Sequence, residues 1–318
     1  MVDIASARAG TVDVSAEIMK AKARRRKVIA TLPAVIGTLP MAAVAIGVFI
    51  ICIGFTVVWS FTSTKFFPNF DFVGLRQYSK LWSTPRWVAS VSHIWFFGFL
   101  QISVSMIFGF LLAVFMDQRI RQEDAFRTIF LYPFALSAVI TGLVWQWMMD
   151  PGLGIQAAVQ RLGWTDFRFA PIASGETAIY GMVVATVWNG TGVTMAILLA
   201  GLRGIDEEIW KASRIDGIPP WRTYLFIVLP MMRGSVMTAL ILLTVAVIRV
   251  FDLEVAMTGG GPGTATRMPA SYVIDNINSR DVAQGMAAAV CMLAPILAVI
   301  LIQAAFRWNA ARIKARPL

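Results

Sequence analysis

Two stretches of thirty residues without a formal charge constrain this chain more than any other feature. Leu32 to Phe61 holds no charged residue, and Trp87 to Met116 holds only His93 as an ionisable group. A bilayer core is about 30 Å thick and takes about 20 mostly apolar residues per helix. Further apolar runs extend over Ile129–Met149, Thr177–Leu202, Gly234–Thr258 and Val282–Phe306. None alternates as a barrel strand would, so each reads as a helix. The sequence therefore predicts an all-α polytopic membrane protein. Six transmembrane helices are expected near residues 32–61, 87–116, 128–149, 177–202, 231–258 and 282–306, the fifth either kinked or ending early on the outer side where Arg249, Asp252 and Glu254 interrupt it. The first run is too long for a signal-peptide core and has no small-residue cleavage site after it, which makes it a retained anchor.

Composition agrees. Of 318 residues, 58% are hydrophobic and 14% charged, with a mean hydropathy of +0.69; soluble chains run at about 45–50% apolar and about 25% charged. A soluble enzyme, a disordered tail and a disulfide-stapled module are excluded. Cys52 and Cys291 both fall in apolar runs and read as small buried hydrophobes. The net charge of +10 comes from basic residues that flank apolar segments. Residues 1–31, 118–128, 203–233 and 307–318 hold 19 Lys and Arg, against 8 in 62–86, 150–176 and 259–281. The positive-inside rule then places both termini and the 203–233 loop in the cytoplasm, led by Arg24, Arg25, Arg26 and Lys27. Residues 1–31 form a basic N-terminal segment and 309–318 a basic tail.

The loops carry the functional signals. Residues 62–86 hold Phe66, Phe67, Phe70, Phe72, Tyr78 and Trp82, which suits an interfacial aromatic belt over a small packed loop, or a docking surface for an external partner. Residues 150–176 predict a short amphipathic helix between turns. The loop 204–230 is more heavily punctuated. Asp206 is an N-cap, Glu207 and Glu208 sit where a helix dipole favours anions, and Lys211 and Arg214 follow where cations are favoured. Ile205, Ile209, Ala212 and Ile215 form a partial apolar stripe, Gly217 supplies a left-handed stop, and Pro219 and Pro220 block continuation. A second short helix is expected from Pro220 through Trp221, Tyr224 and Phe226 to Pro230. Such a loop either packs on the bundle ends or serves as a rigid lever gripped by another protein.

Chemistry of the chain's own is not expected. His93 is the only histidine and has no Ser or Asp cluster around it, against a metal site or an intramembrane protease. Gly259-Gly260-Gly261-Pro262 lacks the Lys-Ser/Thr of a phosphate loop. No internal repeat is visible, which weakens an ion-coupled secondary transporter, and only the fifth run offers the ionisable residues such a transporter needs.

The run Glu207-Glu208-Ile209-Trp210-Lys211-Ala212-Ser213-Arg214-Ile215-Asp216-Gly217, followed by Leu229-Pro230, resembles the EAA loop of ABC sugar-importer permeases of the maltose-permease type. Phe72-Val73-Gly74-Leu75 with Tyr78, Leu131-Tyr132-Pro133-Phe134, Trp188-Asn189-Gly190, Thr258-Gly259-Gly260-Gly261-Pro262 and Gly285-Ala287-Ala288-Ala289 follow the same family's order, so the resemblance covers residues 30–310. The loop wording is most similar to the α-glucoside subgroup. The resemblance implies a bacterial inner-membrane permease that imports a sugar by alternating access. It also implies a second homologous permease, an ATPase dimer carrying ATP and Mg, and a periplasmic sugar-binding protein as partners. This chain would bind membrane lipid and sugar, but no cofactor and no nucleic acid. Another glycoside or a sugar-glycerol conjugate is the alternative cargo.

The resemblance also implies roles. Glu207, Glu208, Lys211, Ala212, Ser213, Asp216 and Gly217 would contact the ATPase, with Lys211 standing where the family carries glutamate and Ser213 where it carries its second alanine. Glu207 or Glu208 is then the candidate for the acidic contact. The segments Phe134–Ser137, Trp188–Gly190 and Leu243–Val250 would line the sugar path. Phe134, Ser137, Thr141, Thr186, Trp188, Asn189 and Gly190 are its candidates, alongside Trp145, with helix joining or packing as their alternative role. Arg249 and Asp252 lie three apart on one helix, where they form an ion pair within or between helices, or else recognise sugar hydroxyls or form a gate.

Overall fold

The computed structural model describes residues 36–65, 67, 69–118 and 120–295. The chain divides into two units, residues 1–58 and 59–318. The first holds most of α1 (Ile36–Ser60), whose 25 residues match the expected first span. Cys52 is exposed on it rather than buried, and Cys291 is half-buried; both thiols are free. The basic N-terminal segment, the C-terminal tail and the last part of the sixth span lie outside the described residues.

The second unit runs α2 (Arg76–Ser83), α3 (Pro85–Asp117), α4 (Glu123–Ala135), α5 (Ala138–Met148), α6 (Ile155–Arg161) and α7 (Ala178–Arg203). It continues with α8 (Glu207–Ile215), α9 (Pro220–Met231), α10 (Arg233–Ile248), α11 (Phe251–Met257), α12 (Pro269–Asn278) and α13 (Val282–Pro295). Among the described residues the only β-type pairing is one isolated bridge, Thr62 with Phe72. α1, α3 and α7 are each long and apolar enough to cross a membrane, and the pairs α4–α5 and α9–α10 meet the same test only as bent pairs.

α7 is the centre of the unit. Met182, Ala185, Met195, Leu198 and Leu199 on it are wholly buried. Toward one end they pack with Phe97 of α3 and with Val247, Leu253 and Met257; toward the other with Ala113 and Met116 of α3 and with Ala239 of α10. Between apolar helices in lipid there is little hydrophobic drive, so close approach and dispersion hold the bundle. The approaches are close. A methyl group on Gly109 of α3 would come within 2.6 Å of Thr194 Cγ2, and one on Gly201 of α7 within 2.6 Å of Ser235 Oγ. At Gly192 the α4 backbone lies directly on α7, and the Phe130 carbonyl occupies the space a methyl would need.

The third expected span is not one helix. It bends by 99° between α4 and α5. Pro133 lies inside α4, where it removes an N–H from the ladder and crowds the preceding turn. Leu136 is extended (ψ 144°), and Ser137 restarts the helix as N-cap, its Oγ accepting from Ile140 N. Sequence reading passed over this break because Pro133 sits within an otherwise continuous apolar run.

The fifth expected span is interrupted where its charges begin. α10 ends at Ile248, Arg249 and Val250 form a turn, and α11 resumes at Phe251. α10 is entered at 78° from α9, which contains a wide π-type turn over Thr223–Val228. The 150–176 loop contains the expected short helix, α6.

Overpacking a close helix contact destabilises by about 1–3 kcal/mol. Gly192→Val is therefore expected to lower the thermal unfolding midpoint of the detergent-solubilised protein. Gly234→Ala, where nothing lies within 4 Å of the added methyl, should leave it unchanged. Equal midpoints for the two variants would contradict the α4–α7 approach.

Candidate functional site

α8 is built as the loop sequence specifies. The Asp206 side chain accepts from Glu208 N at 3.0 Å, capping the first turn. At the other end Gly217 has φ +66°, Gly217 N donates to Arg214 O at 3.2 Å and Ile218 N donates to Ser213 O at 3.0 Å. This pair of bonds is a Schellman stop, which satisfies two carbonyls the helix would otherwise leave open. A side chain at Gly217 would place a Cβ in the left-handed region, which costs about 1–2 kcal/mol.

The packed face of α8 differs from the expected stripe. Ile209 and Trp210 are half-buried and Ser213 is 5% exposed, whereas Ala212 is exposed and Ile215 is 85% exposed. Trp210 decides the orientation: its ring meets Tyr224 of α9 at 5.1 Å between centroids, and Tyr224 in turn meets Phe110 of α3 at 6.5 Å. The Trp210 ring finds an aromatic partner on α9 that Ala212 and Ile215 lack, so the helix turns Trp210 inward. Ser213 Oγ donates back to Trp210 O at 3.1 Å and faces the protein.

Of the expected coupling residues, Glu207, Glu208, Lys211, Ala212, Asp216 and Gly217 are therefore surface residues, and Ser213 is not. Lys211 pairs with Glu207 at 3.3 Å across one helical turn, both well exposed, an arrangement of only about 0.3–0.5 kcal/mol. The exposed edge of the loop thus carries carboxylates at Glu207, Glu208 and Asp216 beside apolar Ile215. Trp221 (55% exposed) and Phe226 (70%) add aromatic surface on α9.

The expected path residues divide into two sets. One set is engaged at the break or within the packed helices. Asn189 of α7 donates from Nδ2 to Pro133 O at 2.7 Å and to Thr141 Oγ1 at 3.5 Å, so it satisfies a carbonyl next to the bend. Thr141 is fully buried, Ser137 is the N-cap, and Thr186 Oγ1 donates within its own helix to Met182 O and Val183 O at 3.0 Å each. Gly190 is buried and lies near two polar groups of α3 not singled out from sequence, Gln101 and Ser105, whose Nε2 and Oγ would each be 3.9 Å from a methyl there. A single polar residue in an apolar run carries no pattern by which to find it.

The second set is open. Phe134 is 49% exposed and Trp188 38% exposed, with the Trp188 ring edge-on to Trp145 at 5.8 Å. Arg249 lies in the turn between α10 and α11 and Asp252 in the first turn of α11, and both are exposed. Among the described residues they form no ion pair with each other, contrary to the reading that pairs them within one helix. The turn at Arg249–Val250 separates the two positions, so the regular three-residue helical spacing is lost. Leu243, Val247 and Val250 do not line an open path; they are 1%, 6% and 5% exposed and belong to the core.

The opposite end of the unit is closed by a polar cluster. Glu254 of α11 is wholly buried and accepts from Ser271 Oγ of α12, and Arg267 pairs with Asp275 of α12. The glycine-rich turn between them carries Gly259, Gly260 and Gly263 at φ +59°, +86° and +61°. A methyl on Gly260 would lie 3.2 Å from Glu254 Oε1 and 3.1 Å from Arg267 Nε, so the carboxylate and guanidinium close on the backbone there.

Comparison with known proteins places this architecture. The chain is 35% identical over 277 residues to a probable ABC transporter permease protein of Pyrococcus horikoshii, covering 85% of this chain and 94% of that one. It is 29% identical over 238 residues to the trehalose/maltose transport system permease protein MalF of Thermococcus litoralis, covering 74% of this chain and 80% of that protein. The fold is similar to that of a bacterial ABC transporter involved in the import of the acidic polysaccharide alginate. That likeness has a TM-score of 0.71 at 16% identity, over 94% of this chain and 100% of the other. Residues 105–315 match the family described as binding-protein-dependent transport system inner membrane component. The chain belongs to that family of ABC-transporter permeases.

Proposed function

We propose that this chain is one membrane-spanning subunit of an ATP-driven sugar importer, with α8 as the helix through which a separate ATPase subunit moves it. The observation that carries this reading is the construction of α8. It is a short helix capped at both ends, anchored inward by Trp210 and presenting Glu207, Glu208, Ala212 and Ile215 outward. Rigid on one face and open on the other, it suits a docked lever. The charge asymmetry of the loops supports a cytoplasmic position for α8 and for both termini. A second permease subunit, an ATPase dimer with ATP and Mg, and an external binding protein complete the proposed machine.

Relatives named for trehalose/maltose, xylose/arabinose and sulfoquinovosyl glycerol transport support a sugar or glycoside as cargo. Within that class an α-glucoside or its oligosaccharide is the narrower reading, carried by the resemblance of the α8 loop. Phe134 and Trp188 are the exposed aromatics suited to stacking on a sugar face, and Arg249 and Asp252 are the exposed polar groups suited to its hydroxyls. Asn189, by contrast, acts through the bend.

Three outcomes follow. Ile215→Cys, in a background lacking Cys52 and Cys291, should cross-link to the co-purified ATPase subunit; a complex in which it reacts only with solvent reagents would contradict docking at α8. Gly217→Pro should reduce uptake at least tenfold while a sugar-loaded binding protein still associates, and normal uptake would remove the lever. For the path, Asp252→Asn should raise the KM for uptake without lowering the unfolding midpoint, whereas Asn189→Ala should lower the midpoint. The reverse assignment would move Asn189 into sugar contact and Asp252 into the scaffold.

A further inference from the structure

α7 ends at Arg203, and α8 begins four residues later at Glu207. The Arg203 side chain reaches back across the bundle end. Its Nη2 lies 2.8 Å from Glu123 Oε2 and donates to Met116 O at 3.4 Å, and its Nε lies 3.9 Å from Asp117 Oδ1. Glu123 is the first residue of α4, and Met116 and Asp117 are the last two of α3. One guanidinium at the root of α8 therefore holds the ends of two other helices. Its planar fork can serve several oxygens at once, which a lysine ammonium does less well.

This tie is the lowest of three between α4 and α7. Further along, the Phe130 backbone rests on Gly192, and Asn189 holds Pro133 O. α4 is thus fastened to α7 from its first residue to its last turn. Beyond the 99° bend the allegiance changes. Gly142 of α5 lies against α11, where an added methyl would be 2.8 Å from Ala256 Cβ and 3.1 Å from Leu253 O. The two halves of the broken span pack differently: α4 lies chiefly on α7, which carries α8, and α5 lies chiefly on α11, which carries the glycine-rich turn, keeping only the Asn189–Thr141 and Trp188–Trp145 contacts with α7. Both helix ends at the bend are capped, by Leu136 N on Pro133 O at 3.2 Å and by Ser137, so the angle between α4 and α5 can change without exposing new backbone groups.

We propose that Arg203 is a positioning residue that makes α8, α7 and α4 move as one body, so that displacement of α8 is delivered to the bend at Ala135–Ser137 and opens or closes the angle with α5. The inference rests on the reading of α8 as the ATPase-driven lever. The ion pair is half-exposed and adds little to stability. Its role lies in which helices it fastens together.

The test uses the assembled complex of both permease subunits and the ATPase dimer, with spin labels in a background of Cys52→Ser and Cys291→Ser. Labels at Arg214→Cys and Tyr132→Cys report α8 against α4, and labels at Arg214→Cys and Trp147→Cys report α8 against α5. All three positions are exposed, and none is among the residues assigned to ATPase contact. Between the nucleotide-free complex and the complex trapped with ATP and vanadate, the first separation should stay constant and the second should shift. Arg203→Met should broaden the first and abolish the shift in the second, and Arg203→Lys should restore both in part. Should Arg203→Met not assemble, Glu123→Gln, which leaves Arg203 with Asp117 and Met116, is read the same way. An unchanged pair of distributions in the substituted complex overturns the inference while leaving the lever standing. A wild-type chain that captures no ATPase overturns both.

Discussion

The direct approach of the α4 backbone to α7 at Gly192 is the contact on which the rest of the second unit depends. Helices in lipid gain little by hiding apolar surface from each other, so their association needs contacts lipid cannot match. Here those contacts come from small residues: Gly109 against Thr194, Gly192 against the Phe130 carbonyl, Gly201 against Ser235. With α7 gripped on several sides, its two ends become reference points for everything attached to them. α8 hangs from one end. Near the other, Met182 and Ala185 share a core with Leu253 and Met257 of α11.

The bend in the third span follows from that grip. An isolated apolar run with an internal proline could straighten into a kinked helix. Held on α7 by Gly192 and Asn189, α4 cannot follow α5, whose Gly142 is packed on α11. The chain resolves the conflict by breaking at Leu136 and capping both sides. Ser137 and Asn189 each bond a backbone group there, and Thr141 accepts from Asn189, as a membrane interior requires of an irregular segment. Residues that look like sugar ligands in the sequence are thus engaged at the bend, whereas Phe134, Trp188, Arg249 and Asp252 are exposed.

α8 shows where local signals suffice and where they do not. Its N-cap Asp206, its acidic first turn and its Gly217 stop were all readable, because capping depends on residues within one turn of the helix end. Its facing was not. Ile205, Ile209, Ala212 and Ile215 make a plausible stripe, but Trp210 finds Tyr224, fourteen positions on, and rotates the helix so that Ala212 and Ile215 face outward. An aromatic partner brought in by a later proline-initiated helix leaves no mark in the α8 segment itself. The same holds for Arg203, which in sequence is one more basic residue at a span end and in the fold bridges two carboxylates eighty or more positions away.

By itself the sequence determined the class of the molecule: helical, membrane-spanning, and with a capped helix in its longest basic loop. Hydrophobic run length and capping chemistry are local properties, and they survive in any tertiary context. Only the tertiary structure decided which helix each half of a broken span follows, which polar residues are used up in holding the backbone, and which face of α8 is free. Those outcomes depend on the distance of closest approach between segments far apart in the chain, and a single sequence records the small residues that permit such an approach without recording their partners.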